Sequence, residues 1–223
     1  MPSRPLVDMR GARIDRSQII VDSSGVRYKN VYNIESLLVS ATHDDLQEYL
    51  DTLYSGVANT HILVKGLGQP AENLETRLQH IDDTDGFIGI YGFWYGRFDN
   101  HYDKSAIHIE FERAWERWRD ANPRRMVVFK PHVSGPDFKT LKAIADDLAQ
   151  SSFYGEAAEY TRRMGEFLRQ IEQIASTHQG FVITFTNKDN LSKGLYSVFL
   201  SWICPLAEAH NWGALAEGED SVA

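Results

Sequence analysis

The sequence predicts an α/β fold, a mostly parallel sheet covered by helices on both faces, and two observations carry that prediction. Five short apolar runs, Leu37–Ser40, His61–Val64, Phe87–Gly92, Arg125–Phe129 and Gly180–Phe185, have strand length. The segments between them space their apolar residues at helical intervals. Short apolar strands separated by amphipathic helices argue for a mostly parallel sheet covered on both faces. One domain with five strands is the simplest arrangement.

Each element has its own signal. Ile19-Ile20-Val21 and Val26-Arg27-Tyr28 flank Asp22-Ser23-Ser24-Gly25, a hairpin pattern in which the glycine supplies the positive φ of the turn. Residues 1–35 therefore read as an N-terminal extension, and residues 36–210 as the α/β domain. After the first strand, Asp44 to Ser55 places Leu46, Tyr49, Leu50 and Leu53 on one helical face. The second strand stops at Gly66-Leu67-Gly68, and Pro70 stands near the start of a helix carrying Leu74, Leu78 and Ile81. The third strand leads through a polar loop to a helix from about Ser105 to Asn122. A helical insertion, Asp137 to Thr177, separates the fourth strand from the fifth, with Met164, Phe167, Leu168, Ile171 and Ile174 on one face. Leu191 to His210 reads as the last helix, and residues 211–223 as a flexible tail.

Composition narrows the function. Hydrophobic residues at 43% and charged residues at 24% are ordinary for a folded domain. Lys and Arg number 23 against 31 Asp and Glu, a net charge of −8, so neither nucleic acid nor a membrane surface is an expected partner. The single cysteine, Cys204, rules out an intramolecular disulfide and a cysteine-rich zinc site. Met1 to Gly11 lacks the apolar core of a secretion signal, and Leu195 to Leu206 is too short to span a bilayer. A cytoplasmic protein is expected. The eight histidines are scattered without metal-ligand spacing, so no metal is expected. Gly66-Leu67-Gly68 lacks the third glycine of a dinucleotide fingerprint, and neither a P-loop nor Gly-x-Ser-x-Gly occurs.

In an open parallel sheet the ligand crevice lies beyond the carboxyl ends of the strands, where the strand order reverses. In the five-strand order 2-1-3-4-5 that point is faced by Ser40-Ala41-Thr42-His43-Asp44 and by Phe93 to Lys104. The second segment holds Phe93, Trp94, Tyr95, Phe98 and Tyr102, which either stack on a ligand ring or pack under their own loop. In the helix that follows, Ile107, Phe111, Ala114 and Trp118 face the sheet, and Glu110 falls about 60° from the centre of that stripe. Glu110 is then either an acid at the crevice or one that pairs with Arg113 or favours the helix dipole. Lys130, after the fourth strand, stands either near an anionic ligand or in solvent.

Three motifs in order carry a resemblance. Ser40-Ala41-Thr42-His43-Asp44-Asp45-Leu46 ends the first strand, Tyr91-Gly92 ends the third, and Ser105-Ala106-Ile107-His108-Ile109-Glu110-Phe111 opens the next helix. The stretch from Ser36 to Pro131 is similar to the bacterial TIR-like domains found on signalling ATPases and in defence proteins. Those domains show Ser-Ser-Thr before Asp-Leu, a strand ending Tyr-Gly, and Ser-x-Thr-Glu-x-Glu-Tyr. Here Ala41 replaces the second serine, His108 replaces the first acid, and the acid-basic pair after Asp-Leu is absent.

The resemblance implies a flavodoxin-like, TIR-type fold. In the wider superfamily, which includes nucleoside deoxyribosyltransferases, a glutamate on the helix after the third strand engages ribose hydroxyls during N-glycosidic cleavage. It therefore implies an NAD⁺ hydrolase or cyclase releasing nicotinamide, in antiphage defence or nucleotide signalling, with Glu110 as the catalytic residue. The carboxylate would stabilise the oxocarbenium-like sugar, and NAD⁺ would be a substrate, with no cofactor needed. Trp94 or Tyr95 would stack on a ring, Ser40, Thr42 and Lys130 would hold ribose or phosphate, and Ser105 would cap the helix. TIR domains commonly assemble, so a homo-oligomer or a partner protein is expected on the Leu191–His210 helix. The alternatives are a non-catalytic TIR-like module that binds a nucleotide signal or a partner, and a nucleoside or nucleotide ribosyl-transferring enzyme.

Overall fold

The computed structural model describes residues 19–21, 27–30, 34–57, 62–66, 73–96, 98–99, 101–120, 125–133, 135, 137–151, 157–178 and 181–205. The turn at 22–25, residues 67, 68 and 70, and everything after Pro205, including the expected tail, lie outside them. In chain order the elements are β1 (Ile19–Val21), β2 (Arg27–Asn30), β3 (Ser36–Ala41), α1 (His43–Val57), β4 (Leu63–Lys65), α2 (Leu74–Asp83), β5 (Gly86–Ile90), β6 (Phe98–Asp99) and β7 (Lys104–Ser105). They continue with α3 (Ala106–Trp118), β8 (Met126–Pro131), α4 (Phe138–Ser151), α5 (Ala157–Thr177), β9 (Val182–Phe185), α6 (Lys188–Trp202) and β10 (Ile203–Pro205).

Five strands form one parallel sheet in the order β4-β3-β5-β8-β9, the doubly wound order the sequence predicts. The apolar runs explain it. Leu37, Leu38 and Val39 of β3, Phe87, Ile88 and Ile90 of β5, and Met126, Val127, Val128 and Phe129 of β8 are all buried, so the three central strands need cover on both faces. On one face Leu37, Val39, Ile88, Ile90, Val127 and Phe129 meet Leu46, Leu50 and Leu53 of α1 and Leu191, Leu195, Val198, Phe199 and Trp202 of α6. On the other, Leu38, Phe87, Met126 and Val128 meet α2, α3 and α5 through Ile81, Phe111, Trp118, Phe167 and Ile171. Each fully buried large side chain contributes roughly 1.5–3 kcal/mol.

The helical insertion is two helices, and α4 differs from all the others. Its Leu141 joins the first core, while Ala145 and Ala149 join the second. It starts beyond the carboxyl end of β8, and Phe138 packs edge-on against Phe93 beyond the end of β5, with ring centroids 5.0 Å apart. α4 is therefore laid over the carboxyl edge of the sheet.

Two expectations change. The last helix stops at Trp202, and Ile203–Pro205 turns extended and pairs antiparallel with β2. Pro205 disfavours helical geometry at Cys204, and β-branched Ile203 suits a strand. The N-terminal hairpin is thus the outer part of a three-stranded sheet completed by β10. The polar loop after β5 contains the antiparallel ribbon β6-β7, with Asp103 at φ 50° in its turn. Among the described residues no helix is long and apolar enough to cross a membrane.

Candidate functional site at the carboxyl edge of the sheet

The strand order reverses between β3 and β5, and the residues beyond these two strands hold each other. The Thr42 N–H donates to the Ile90 carbonyl at 3.1 Å, and the Gly92 N–H donates to the Thr42 hydroxyl at 2.9 Å. Asp45 Oδ2 accepts the N–H groups of Phe93 (2.7 Å) and Trp94 (3.0 Å). A Cβ on Gly92 would stand 2.0 Å from that same oxygen, so the strand-ending glycine is required by the close approach of the carboxylate. Asp45 is buried, and burial pushes its carboxyl up from 3.8 to about 6, against the opposing pull of the Thr42 hydroxyl and the loop amides. No hydrogen-bond donor among the described residues reaches Asp45 Oδ1. Ser40, also buried, accepts the Tyr91 hydroxyl at 3.4 Å.

The aromatic loop residues pack beneath their own loop. Trp94 stacks on Tyr160 of α5, with centroids 4.8 Å apart and planes 9° from parallel. The Tyr95 hydroxyl lies 2.7 Å from His108 Nδ1, and His108 Nε2 lies 2.8 Å from Gln170 Oε1. A neutral imidazole protonated at Nε2 satisfies both contacts, and burial lowers the pKa of His108 accordingly. Tyr102 is exposed.

Glu110 is fully buried one turn into α3, facing the first turn of α2. Arg77 Nε donates to Oε1 at 2.5 Å and Nη2 donates to Oε2 at 3.0 Å, a bidentate pair in which the arginine side chain is 15% exposed and the glutamate 1%. The expected partner Arg113 binds Asp82 instead, at 2.6 and 2.9 Å. Ser105 occupies the N-cap position of α3 without a side-chain capping bond, and no partner among the described residues meets its buried hydroxyl. Lys130 pairs with Glu172 of α5. The structure thus brings Ser40 and Thr42 to the switch point, seats Trp94 and Tyr95 under the loop, and places Glu110 on the α2–α3 interface.

The order of strands, the Ser40-to-Asp45 turn and the Gly92 approach all fall within residues 37–197, and over those residues the chain matches the family profile described as Domain of unknown function (DUF4062). The chain belongs to this family. No curated protein matches it.

In this DUF4062 domain a cavity of about 420 Å³ remains at the carboxyl edge, lined by Asp44, Asp45, Glu48, Tyr49, Asp137, Leu141, Ile144 and Lys188 among others. A smaller cleft of about 170 Å³ lies on the opposite side of α4, with Phe93, Trp94, Ala145, Tyr160 and Met164 in its walls. Glu110 lines neither. Among the described residues no group of three His, Cys, Asp or Glu is placed to hold a metal ion. Sequence reasoning passed over Asp45 and Arg77. Asp45 stands in the Asp-Asp-Leu stretch, where only its contact with Gly92 reveals its work; Arg77 carries no motif.

Proposed function

We propose that this DUF4062 domain is a non-catalytic TIR-like module of nucleotide signalling or defence, acting by binding and assembly. The observation that carries this reading is the Arg77–Glu110 pair. A carboxylate that supports N-glycosidic cleavage must touch the ribose and keep its negative charge for the developing oxocarbenium ion. Glu110 is fully buried, both its oxygens are bound by a guanidinium, and that cation offsets the charge the sugar would need. Ser40, Thr42, Trp94 and Tyr95 are likewise engaged within the protein.

The second reading is an NAD⁺ or nucleotide N-glycosidase. What favours it is the place of Glu110 in α3, just after the switch-point loop, where the TIR resemblance puts the catalytic acid. It requires Arg77 to swing clear. Nicotinamide release from NAD⁺, followed with and without a crowding agent, separates the two. The binding-module reading expects no release under either condition. Release that disappears in Glu110→Gln establishes the glycosidase, and nucleoside monophosphates or deoxynucleosides in the same assay test ribosyl transfer.

A further inference from the structure

We infer that α4 is a lid, shut over the switch-point crevice in this structure and able to lift from the sheet while the rest of the domain stays folded. The inference does not rest on the proposed function, since a binding module and an enzyme alike need access to that crevice.

The position of α4 comes first. The cavity on one flank is walled by the first turns of α1, which follows β3, and the cleft on the other by Phe93 and Trp94, which follow β5. α4 stands between them, where the strand order reverses. Two contacts pin its start there. Asp137 Oδ2 accepts the Tyr49 hydroxyl of α1, and Phe138 meets Phe93 edge-on, with ring centroids 5.0 Å apart.

The hold on the rest of the helix is light. α4 buries one large side chain, Leu141, beside Ala145 and Ala149, whereas α5 buries Tyr160, Met164, Phe167 and Ile171. Hydrophobic stabilisation follows apolar area, so α4 loses far less on leaving the sheet. Polar contacts repeat the contrast. α5 is tied to α3 through Gln170 and His108, to β8 through Glu172 and Lys130, and to the ribbon turn through Arg163 and Asp103. Lys142 and Asp146 of α4 pair with each other along their own helix.

Room to move lies on both flanks, with volumes of about 420 and 170 Å³. In the smaller cleft Gly165 stands in the middle of α5, where a Cβ would meet nothing within 4 Å. A glycine inside a helix costs stability relative to alanine, and here it relieves no clash. It leaves the space beside α4 open. A ligand of the crevice binds only the open fraction of the chain, and its apparent affinity falls by that fraction. α4 thereby sets the affinity of the crevice.

The test is thiol labelling of the folded full chain in a Cys204→Ser background. Ala145→Cys puts the reporter in the middle of α4, and Ala114→Cys puts one in the same core on α3. The thiol in α4 is expected to react about 100-fold faster, at a rate nearly independent of urea below the unfolding transition. Ala149→Cys supplies the same reading if Ala145→Cys does not fold. Tyr49→Phe, which removes one pin on the far flank, should speed labelling in α4 about three- to tenfold. Equal rates in α4 and α3, rising together with urea, would overturn the proposal, because α4 would then leave the sheet only on global unfolding. Fast labelling in α4 that Tyr49→Phe leaves unchanged would overturn it too, because the reagent would then be entering the cleft with the helix in place.

Discussion

Arg77 holds Glu110 at both carboxylate oxygens, across the interface of α2 and α3, and so fixes the register of two helices on one face of the sheet. Arg113 and Asp82 repeat the bond on the same interface, nearer the surface, with both side chains more than 40% exposed. The buried pair therefore dominates. Glu110→Ala leaves the Arg77 guanidinium without its main partner and is expected to cost about 3–5 kcal/mol in urea unfolding. Replacing both residues by leucine should restore most of that loss, because the desolvation of two charges disappears along with their attraction.

The contact between Asp45 and Gly92 predicts a second loss. In Gly92→Ala the new Cβ falls 2.0 Å from Asp45 Oδ2 and 2.7 Å from its Cγ, so the carboxylate must leave the loop amides it binds. A destabilisation of roughly 2–4 kcal/mol is expected. Amide hydrogen exchange at Phe93 and Trp94 should accelerate, since their N–H groups lose the carboxylate that holds them.

Asp45 also sets a pH dependence. Its carboxyl titrates at about 6 in the folded chain, above the ordinary 3.8, because burial penalises its charged form. The folded state thus binds this proton more tightly than the unfolded state. The stability it brings is fully present below about pH 4 and is lost as pH rises through 6, up to about 3 kcal/mol. The groups that oppose the shift are the Thr42 hydroxyl and the backbone N–H groups of Phe93 and Trp94, and no charged side chain is among its causes. Asn at position 45 keeps an acceptor for the loop amides and does not titrate. The difference in unfolding free energy between wild type and Asp45→Asn, measured from pH 4 to 7.5, should fall as pH rises from 4 and level off above about 6.

The Tyr95 hydroxyl is the donor that satisfies buried His108 Nδ1. Tyr95→Phe leaves that nitrogen open and should destabilise the chain by roughly 1–3 kcal/mol, with the imidazole remaining neutral at pH 7.

The fold was legible because its strands are apolar on both faces: Leu37-Leu38-Val39 and Met126-Val127-Val128-Phe129 admit few other arrangements. The switch point was legible for the same reason, since strand order fixes where it lies. The identity of the partners was not. Arg77 and Glu110 are 33 residues apart on different helices, and only the packing of α2 against α3 brings them together. The placement of α4 over the carboxyl edge was hidden too. Its alternation between two cores, Leu141 in one and Ala145 and Ala149 in the other, resembles an ordinary amphipathic stripe in sequence. The end of the last helix carried a signal in Pro205, which was outweighed by the apolar residues around it.

The central claim is that Glu110 is held for structure by Arg77 and does no chemistry. Nicotinamide release from NAD⁺ by purified wild type and by Glu110→Gln, measured beside the thermal midpoint of each, tests it most directly. The account predicts no release from either protein and a lower midpoint for the variant. Release by wild type that Glu110→Gln abolishes, with the midpoint unchanged, would contradict it.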